Sequence, residues 1–304
     1  MKAIAWIILS LTFLLFFALI YYLVVGAILF KLFFSRKNLQ EKIFRKKISS
    51  KDVDLTWWNK FKIERLVTNA DDNTKLVGYY LDFESDKTAI LVPGFDGWQN
   101  LQLYAKLFKE IGFNILAVEC RWQGDSEGKE FCLKDGQDVL CWINFLNKKN
   151  PNNKILLFGL SSGGTAVCCA TGQNLPPNVL CAISDSAFAN IKGQIEYFIS
   201  EHKPALKMFE KHLYSFTDRV NEFDLNKANA CECIKKSNLP IFIIHGENDE
   251  FVLPQNAKIL FERAPQNMKE IYIVANAGHC GAYMTAGKNY EKKILNFIKS
   301  RTNF

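Results

Sequence analysis

The sequence predicts an α/β protein, a mostly parallel sheet with helices on both faces and a helical cap, preceded by an N-terminal transmembrane helix. Three observations point there. From Ala3 to Phe30, 28 residues pass without a charged side chain. Beyond Lys87, short continuous apolar runs alternate with amphipathic stretches, the pattern of strands covered by helices on both faces. Between Ala187 and Asn238 the alternation stops and charged, helical patterning takes over, as in "ALKMFEKHLYSF". An insertion of that length between two sheet strands reads as a cap, at about 187–238.

As a helix, the 28 uncharged residues would reach about 42 Å, against about 30 Å of bilayer hydrocarbon. A cleaved signal peptide has an apolar core of about 7–15 residues followed by small residues. Here the run continues into "GAILFKLFF", with bulky side chains in that place. Residues 1–34 are therefore expected to be a retained anchor, and residues 35–60 a basic juxtamembrane tether. Residues 1–51 hold nine of the 38 Lys and Arg but a single acid, Glu41, so residues 52–304 are left with 29 bases against 30 acids. The net charge of +7 thus belongs to the tether, which argues against nucleic acid as a partner and for a membrane. Eight bases from Lys31 to Lys51 outweigh Lys2 and the α-amino group across the apolar run. By the positive-inside bias the globular part is expected in the cytoplasm. An odd, scattered set of nine cysteines (120, 132, 141, 168, 169, 181, 231, 233 and 280) suits a reducing compartment. Cys168, Cys169 and Cys181 fall in apolar stretches and read as small buried residues. "CEC" at 231–233 has no second Cys or His pair at zinc spacing.

Residues 61–304 form the globular domain in this reading. "FKIERLVTN" and "LVGYYLDFES" alternate around the turn "NADDNTK", as a hairpin does. Strands follow at "KTAILVPG", "NILAVEC", "NKILLFGL", "NVLCAISDS", "LPIFIIHGEND" and "KEIYIVAN". Helices are expected through "NLQLYAKLFKEIGF", "KDGQDVLCWINFLNKK", "SGGTAVCCATG", "PQNAKILFERA" and around "YEKKILNFIKS". Trp57 and Trp58 beside the tether are expected in core or membrane-interface packing.

Reactive groups of a parallel α/β sheet gather at the carboxyl ends of its strands. Those ends hold Gly94-Phe95, Ser161, Asp185, Asp249 and His279. Gly159-Leu160-Ser161-Ser162-Gly163 has the spacing of a nucleophile elbow, in which a strand turns sharply into a helix and holds the central serine exposed. The spacing selects Ser161 over Ser162, whose backbone N–H at the helix start can face a developing oxyanion. A serine needs an adjacent base. Of four histidines, His202 and His212 lie in the charged cap and read as solvated; His245, at a strand end, reads as ordering its turn. His279, in "NAGHCGAY" after the last strand, is the candidate base. Asp249 is favoured to orient it, with Asp185 also eligible and otherwise a structural acid at the cap entrance, hydrogen-bonded to backbone amides. The chain order Ser161, Asp249, His279 is that of an α/β-hydrolase triad.

Four blocks extend this: "ILVPGFDGW", "ECRWQGDSEG", "GLSSGG", and "IIHGENDEFV" with "NAGHCGAY". Through them the chain from about Lys75 to Ser300 resembles an α/β-hydrolase of the serine-aminopeptidase and monoacylglycerol-lipase-like branch, among its single-pass, membrane-anchored members. The resemblance implies an oxyanion hole from the backbone N–H groups of Phe95 and Ser162. It implies acyl transfer to water, with a small-molecule or lipid ester as substrate and no metal or organic cofactor. Two departures stand out. Pro93-Gly94 replaces the family's usual His-Gly, and Trp122 replaces a glycine of the D-x-R-G-x-G-x-S block, which is expected to reshape substrate entry. The competing readings are a serine peptidase acting on short peptides and a non-catalytic binding protein of the same fold.

Overall fold

Eight strands make one sheet in the computed structural model, which describes residues 2–34, 55–128, 134–220, 225 and 229–301. The basic residues from Arg36 to Lys51, part of the cap, and Cys132 lie outside the described residues. In chain order the strands are β1 (Glu64–Asn69), β2 (Lys75–Leu81), β3 (Lys87–Val92), β4 (Asn114–Val118), β5 (Lys154–Leu160), β6 (Val179–Asp185), β7 (Ile241–Gly246) and β8 (Lys269–Val274). Their spatial order is β1-β2-β4-β3-β5-β6-β7-β8. β1 and β2 form the expected antiparallel hairpin, β2 joins β4 antiparallel, and all further pairs are parallel.

The continuous apolar runs serve two cores, because successive side chains of a strand point to opposite faces. Ile90 and Val92 of β3, with Ile155 and Leu157 of β5, meet α3 (Asp135–Lys149), α4 (Ser162–Thr171) and α8 (Gln255–Arg263) on one face. Ala89 and Leu91, with Leu156 and Phe158, meet α2 (Gln102–Ile111) and α10 (Lys288–Arg301) on the other. Between β6 and β7 lie the cap helices α5 (Ile191–His202), α6 (Glu210–Val220) and α7 (Ala230–Ile234), with a 3-10 turn at Pro204–Phe209. No strand occurs there among the described residues. α9 (Ala282–Ala286) follows β8.

The N-terminal apolar run is one helix, α1 (Lys2–Phe34), whose C-terminal half lies against α6. Leu55–Lys60, placed with the tether by sequence, is a 3-10 turn packed on the sheet domain. Trp58 is buried there, and its Nε1 donates to the Gln99 carbonyl at 3.0 Å.

One buried ion pair ties the loop after β4 to its surroundings. Arg121 donates through Nε and Nη2 to the Asp138 carboxylate at 2.8 and 2.5 Å, and through Nη1 to Asp72 at 2.9 Å. Its side chain is 2% exposed and that of Asp138 7%. Removing one partner of such a pair strands the other charge, so Arg121→Met should cost about 3–5 kcal/mol in urea denaturation. A loss below about 1 kcal/mol would mean that the pair behaves like one at the surface.

Candidate active site

At the end of β5 the chain enters α4 through Ser161, whose backbone sits at φ 55 and ψ −120. A non-glycine residue there stores about 1–3 kcal/mol of strain and persists only where its surroundings hold it. The Ser161 N–H donates to the Asp185 carbonyl at 2.7 Å, and the Ser161 carbonyl accepts from the Thr165 N–H at 3.1 Å. The two glycines of the motif answer to space. A Cβ on Gly159 would overlap the Gly163 carbonyl, and one on Gly163 would overlap the Val92 and Pro93 carbonyls. The helix start is thus pressed backbone to backbone against the end of β3, and only the serine side chain can project.

Ser161 Oγ lies 2.9 Å from His279 Nε2, and His279 Nδ1 lies 2.7 Å from Asp249 Oδ2. His279 comes from the loop between β8 and α9, with the Phe251 ring centred 4.8 Å from its own. Asp249 follows β7, and its Oδ1 accepts from the Phe251 and Val252 N–H groups at 2.9 and 2.8 Å. A second histidine shares this carboxylate. His245 Nε2 donates to the Val252 carbonyl at 2.8 Å and lies 3.1 Å from Asp249 Oδ2. Burial pushes the Asp249 carboxyl up, but hydrogen bonds from His245 and His279 outweigh it and hold the pKa at about 2.

Asp185 is equally buried but stands apart from the His279 ring in its bonding. Its Oδ2 accepts from Tyr290 Oη at 2.8 Å and its Oδ1 from Ser186 Oγ at 2.8 Å. The partners are hydroxyls, where the sequence reading expected backbone amides. Ser186 Oγ in turn accepts from the Cys280 N–H at 3.2 Å, so the Asp185 cluster braces the backbone beside His279. Burial pushes the Asp185 carboxyl up.

The Gly94–Phe95 turn runs beside Ser161: a Cβ on Gly94 would sit 3.0 Å from Ser161 Cβ. Gln123 Nε2 donates to the Gly94 carbonyl at 2.6 Å and so fixes this turn. Ser162 is buried, and its hydroxyl has no hydrogen-bond partner. Trp122 is not at the entrance. It is fully buried under Phe95, with ring centroids 5.3 Å apart, and its Nε1 donates to Asp135 Oδ2 at 3.1 Å. The bulk that replaces glycine therefore supports the loop from beneath. Burial, then the nearby Asp138 charge, pushes the Asp135 carboxyl up to about 7.

His212, read as solvated, is half-buried against α1, and the His202 side chain lies outside the described residues. The roles of Ser186, Tyr290 and Gln123 were missed: Gln123 lies inside a quoted block and Tyr290 on the apolar stripe of the last helix, but neither position signals a polar contact with the site. Cys168 and Cys181 are fully buried, Cys169 partly so, and the eight described cysteines are free thiols. Among the described residues no three His, Cys, Asp or Glu side chains gather as metal ligands.

A family model described as "Prolyl oligopeptidase family" matches residues 123–303. Among curated relatives, uncharacterized protein YqkD of Bacillus subtilis is 24% identical over 203 residues, 64% of this chain and 65% of that protein. The lysophosphatidylserine lipase ABHD12 of Danio rerio is 26% identical over 181 residues, 56% of this chain. The chain spans less than two thirds of either relative, and 44% of the lipase. Among solved structures, the Pyrococcus furiosus esterase Pf2001 matches with TM-score 0.63 at 21% identity, covering 80% of this chain and 92% of that one. That likeness establishes the α/β-hydrolase fold.

The two acids make a direct test. Loss of an orienting carboxylate lowers kcat by about 10⁴ in a well-studied serine protease. Asp249→Asn should cripple hydrolysis with the circular dichroism spectrum unchanged, and Asp185→Asn should cost far less. The reverse ranking would assign the orienting role to Asp185.

Proposed function

The chain belongs to the prolyl oligopeptidase family, and on that premise we propose that it is a membrane-anchored serine hydrolase cleaving an acyl-lipid or small acyl ester. The observation that carries this reading is the continuous contact from Ser161 Oγ through His279 to Asp249, at 2.9 and 2.7 Å. His279 Nε2 takes the proton as Ser161 Oγ attacks the ester carbonyl. Asp249 stays ionised, keeps the Nδ1–H tautomer and stabilises the imidazolium that forms. The N–H groups of Phe95 and Ser162 receive the oxyanion, each worth about 10²–10³ in rate for such donors. His279 then protonates the leaving alcohol, and water, activated by the same imidazole, releases the acid from Ser161.

Membrane attachment is supported by the run Ile4–Phe33, which contains an 18-residue window of mean hydropathy 2.7. The printed activity of the Danio rerio relative, a lysophosphatidylserine lipase, favours a lipid ester. A peptidase acting on short peptides is the second reading, favoured by the family's description. Acyl esters of graded chain length assayed beside peptide amides separate the two.

A fluorophosphonate probe should label the wild-type chain and Ser162→Ala but not Ser161→Ala, because Ser162 contributes its backbone and leaves its hydroxyl unused. Turnover should fall by about 10⁴ or more in Ser161→Ala. Equal loss in both variants would sink the assignment. The bases from Lys31 to Lys51 support a catalytic domain on the cytoplasmic side. A cysteine appended after Phe304 should stay unlabelled by impermeant maleimide in intact cells and react once they are opened. Labelling in intact cells would put the domain outside.

A further inference from the structure

α1 meets the cap along one stripe. Tyr22, Gly26, Leu29 and Phe33 recur at three- and four-residue spacing, so they share a helix face. His212 Nε2 donates to the Tyr22 carbonyl at 2.9 Å, and Tyr22 Oη lies 3.1 Å from Ser215 Oγ. The Phe216 ring fills the space a Cβ on Gly26 would need, and Leu29 and Phe33 are each 5% exposed. The order of contacts fixes a direction. His212 meets Tyr22, while Phe216 meets Gly26 and Phe30, so α6 runs parallel to α1.

The start of α6, at Glu210 and Lys211, is therefore level with Tyr21 and Tyr22 of α1, and the segment before it joins α6 at that level. That segment is the turn Pro204–Phe209 with its flanking lysines. Leu206 and Phe209 pack inward, whereas Pro204 and Ala205 are exposed and Met208 is 79% exposed. Lys203, Lys207 and Lys211 are exposed on the same segment, and Glu210 is engaged by Tyr214 Oη at 3.0 Å. Upstream of Tyr21, every residue from Ile4 to Ile20 is exposed. Those 17 residues span about 26 Å, close to the thickness of a bilayer core of about 30 Å. Tyr21 and Tyr22 stand at the end of that span, where aromatic side chains favour the headgroup boundary.

We propose that the cap segment from Lys203 to Lys211 is a membrane-contact surface that rests in the headgroup layer of the leaflet from which α1 emerges. Met208, Pro204 and Ala205 enter the acyl boundary, and the three lysines pair with anionic headgroups. The inference rests on reading α1 as membrane-spanning, and it turns the cap side of the hydrolase domain toward the lipid.

The test uses the full chain reconstituted in vesicles of equal parts phosphatidylcholine and phosphatidylglycerol. Dansylalanine is incorporated by codon suppression in place of Met208 or, as a control at the opposite end of the strands, Asn152. Lipids carrying a nitroxide near the headgroup should quench the probe at 208 and leave that at 152 bright. Equal quenching at both, or none at 208, would overturn the proposal. Met208→Asp should lower hydrolysis of a vesicle-borne ester by about tenfold and leave that of a water-soluble short-chain ester unchanged. Equal losses on both esters would also overturn it. A wild-type chain that cleaves neither ester would remove the esterase reading alone, and the quenching would still decide where the cap lies.

Discussion

The close backbone contact between the start of α4 and the end of β3 is the constraint on which the rest of the site depends. Gly163 touches the carbonyls of Val92 and Pro93, and Gly159 touches Gly163, with no room for a Cβ at either. Two main chains so close fix the angle at which helix leaves strand. That angle forces Ser161 to positive φ and leaves its side chain the one group of the motif free to project. It also brings the Gly94–Phe95 turn alongside, because the β3 end that receives Gly163 runs directly into that turn. A serine, the N–H groups of a helix start and a neighbouring loop amide are thus placed by one packing contact rather than by three independent ones.

The histidine side is held differently, by polar groups of widely separated origin. Asp249 spends one oxygen on the amides of its own turn and offers the other to two imidazoles. His245 bridges that turn to the strand end, so it restrains the same carboxylate oxygen that His279 meets. The Tyr290–Asp185–Ser186 chain then reaches the Cys280 amide, tying the loop to the sheet and to the last helix. Most buried polar groups here satisfy one another, which is what lets them persist in a low-dielectric interior, and His245 Nδ1 is left without a partner.

Much of this was legible because strands covered on both faces announce themselves as unbroken apolar runs, where β3 to β8 lie, and because alternation marks the hairpin of β1 and β2. Ser161, Asp249 and His279 could be selected because each terminates a run and because only four histidines compete. Other features lacked any local signal. Tyr290 and Asp185 are 105 positions apart and meet only through the packing of α10 under the sheet. The contact face of α1 was invisible because a helix apolar all round has no amphipathic stripe to read. His212 was misjudged for the complementary reason: its neighbours are charged, so the helix read as solvated although one face meets α1. Trp122 was expected to alter the entrance because a loop sequence gives no indication of which side faces inward.

Two shifted acids near the site, Asp249 and Asp135, act on the fold in opposite directions as pH changes. Asp249, held at about 2, is favoured as the ion in the folded state, relative to an ordinary value of about 4. Its contribution is present above about 4 and is lost as pH falls through about 2. Asp135, pushed up to about 7, is favoured as the neutral acid. Its ionisation weighs against folding increasingly as pH rises from about 4, and in full above about 7. Between them these groups place their joint optimum on the acid side of neutrality. Asp135 bonds Trp122, and Trp122 supports Phe95. The floor beneath that loop is therefore uncharged in mildly acid solution and anionic in mildly alkaline solution.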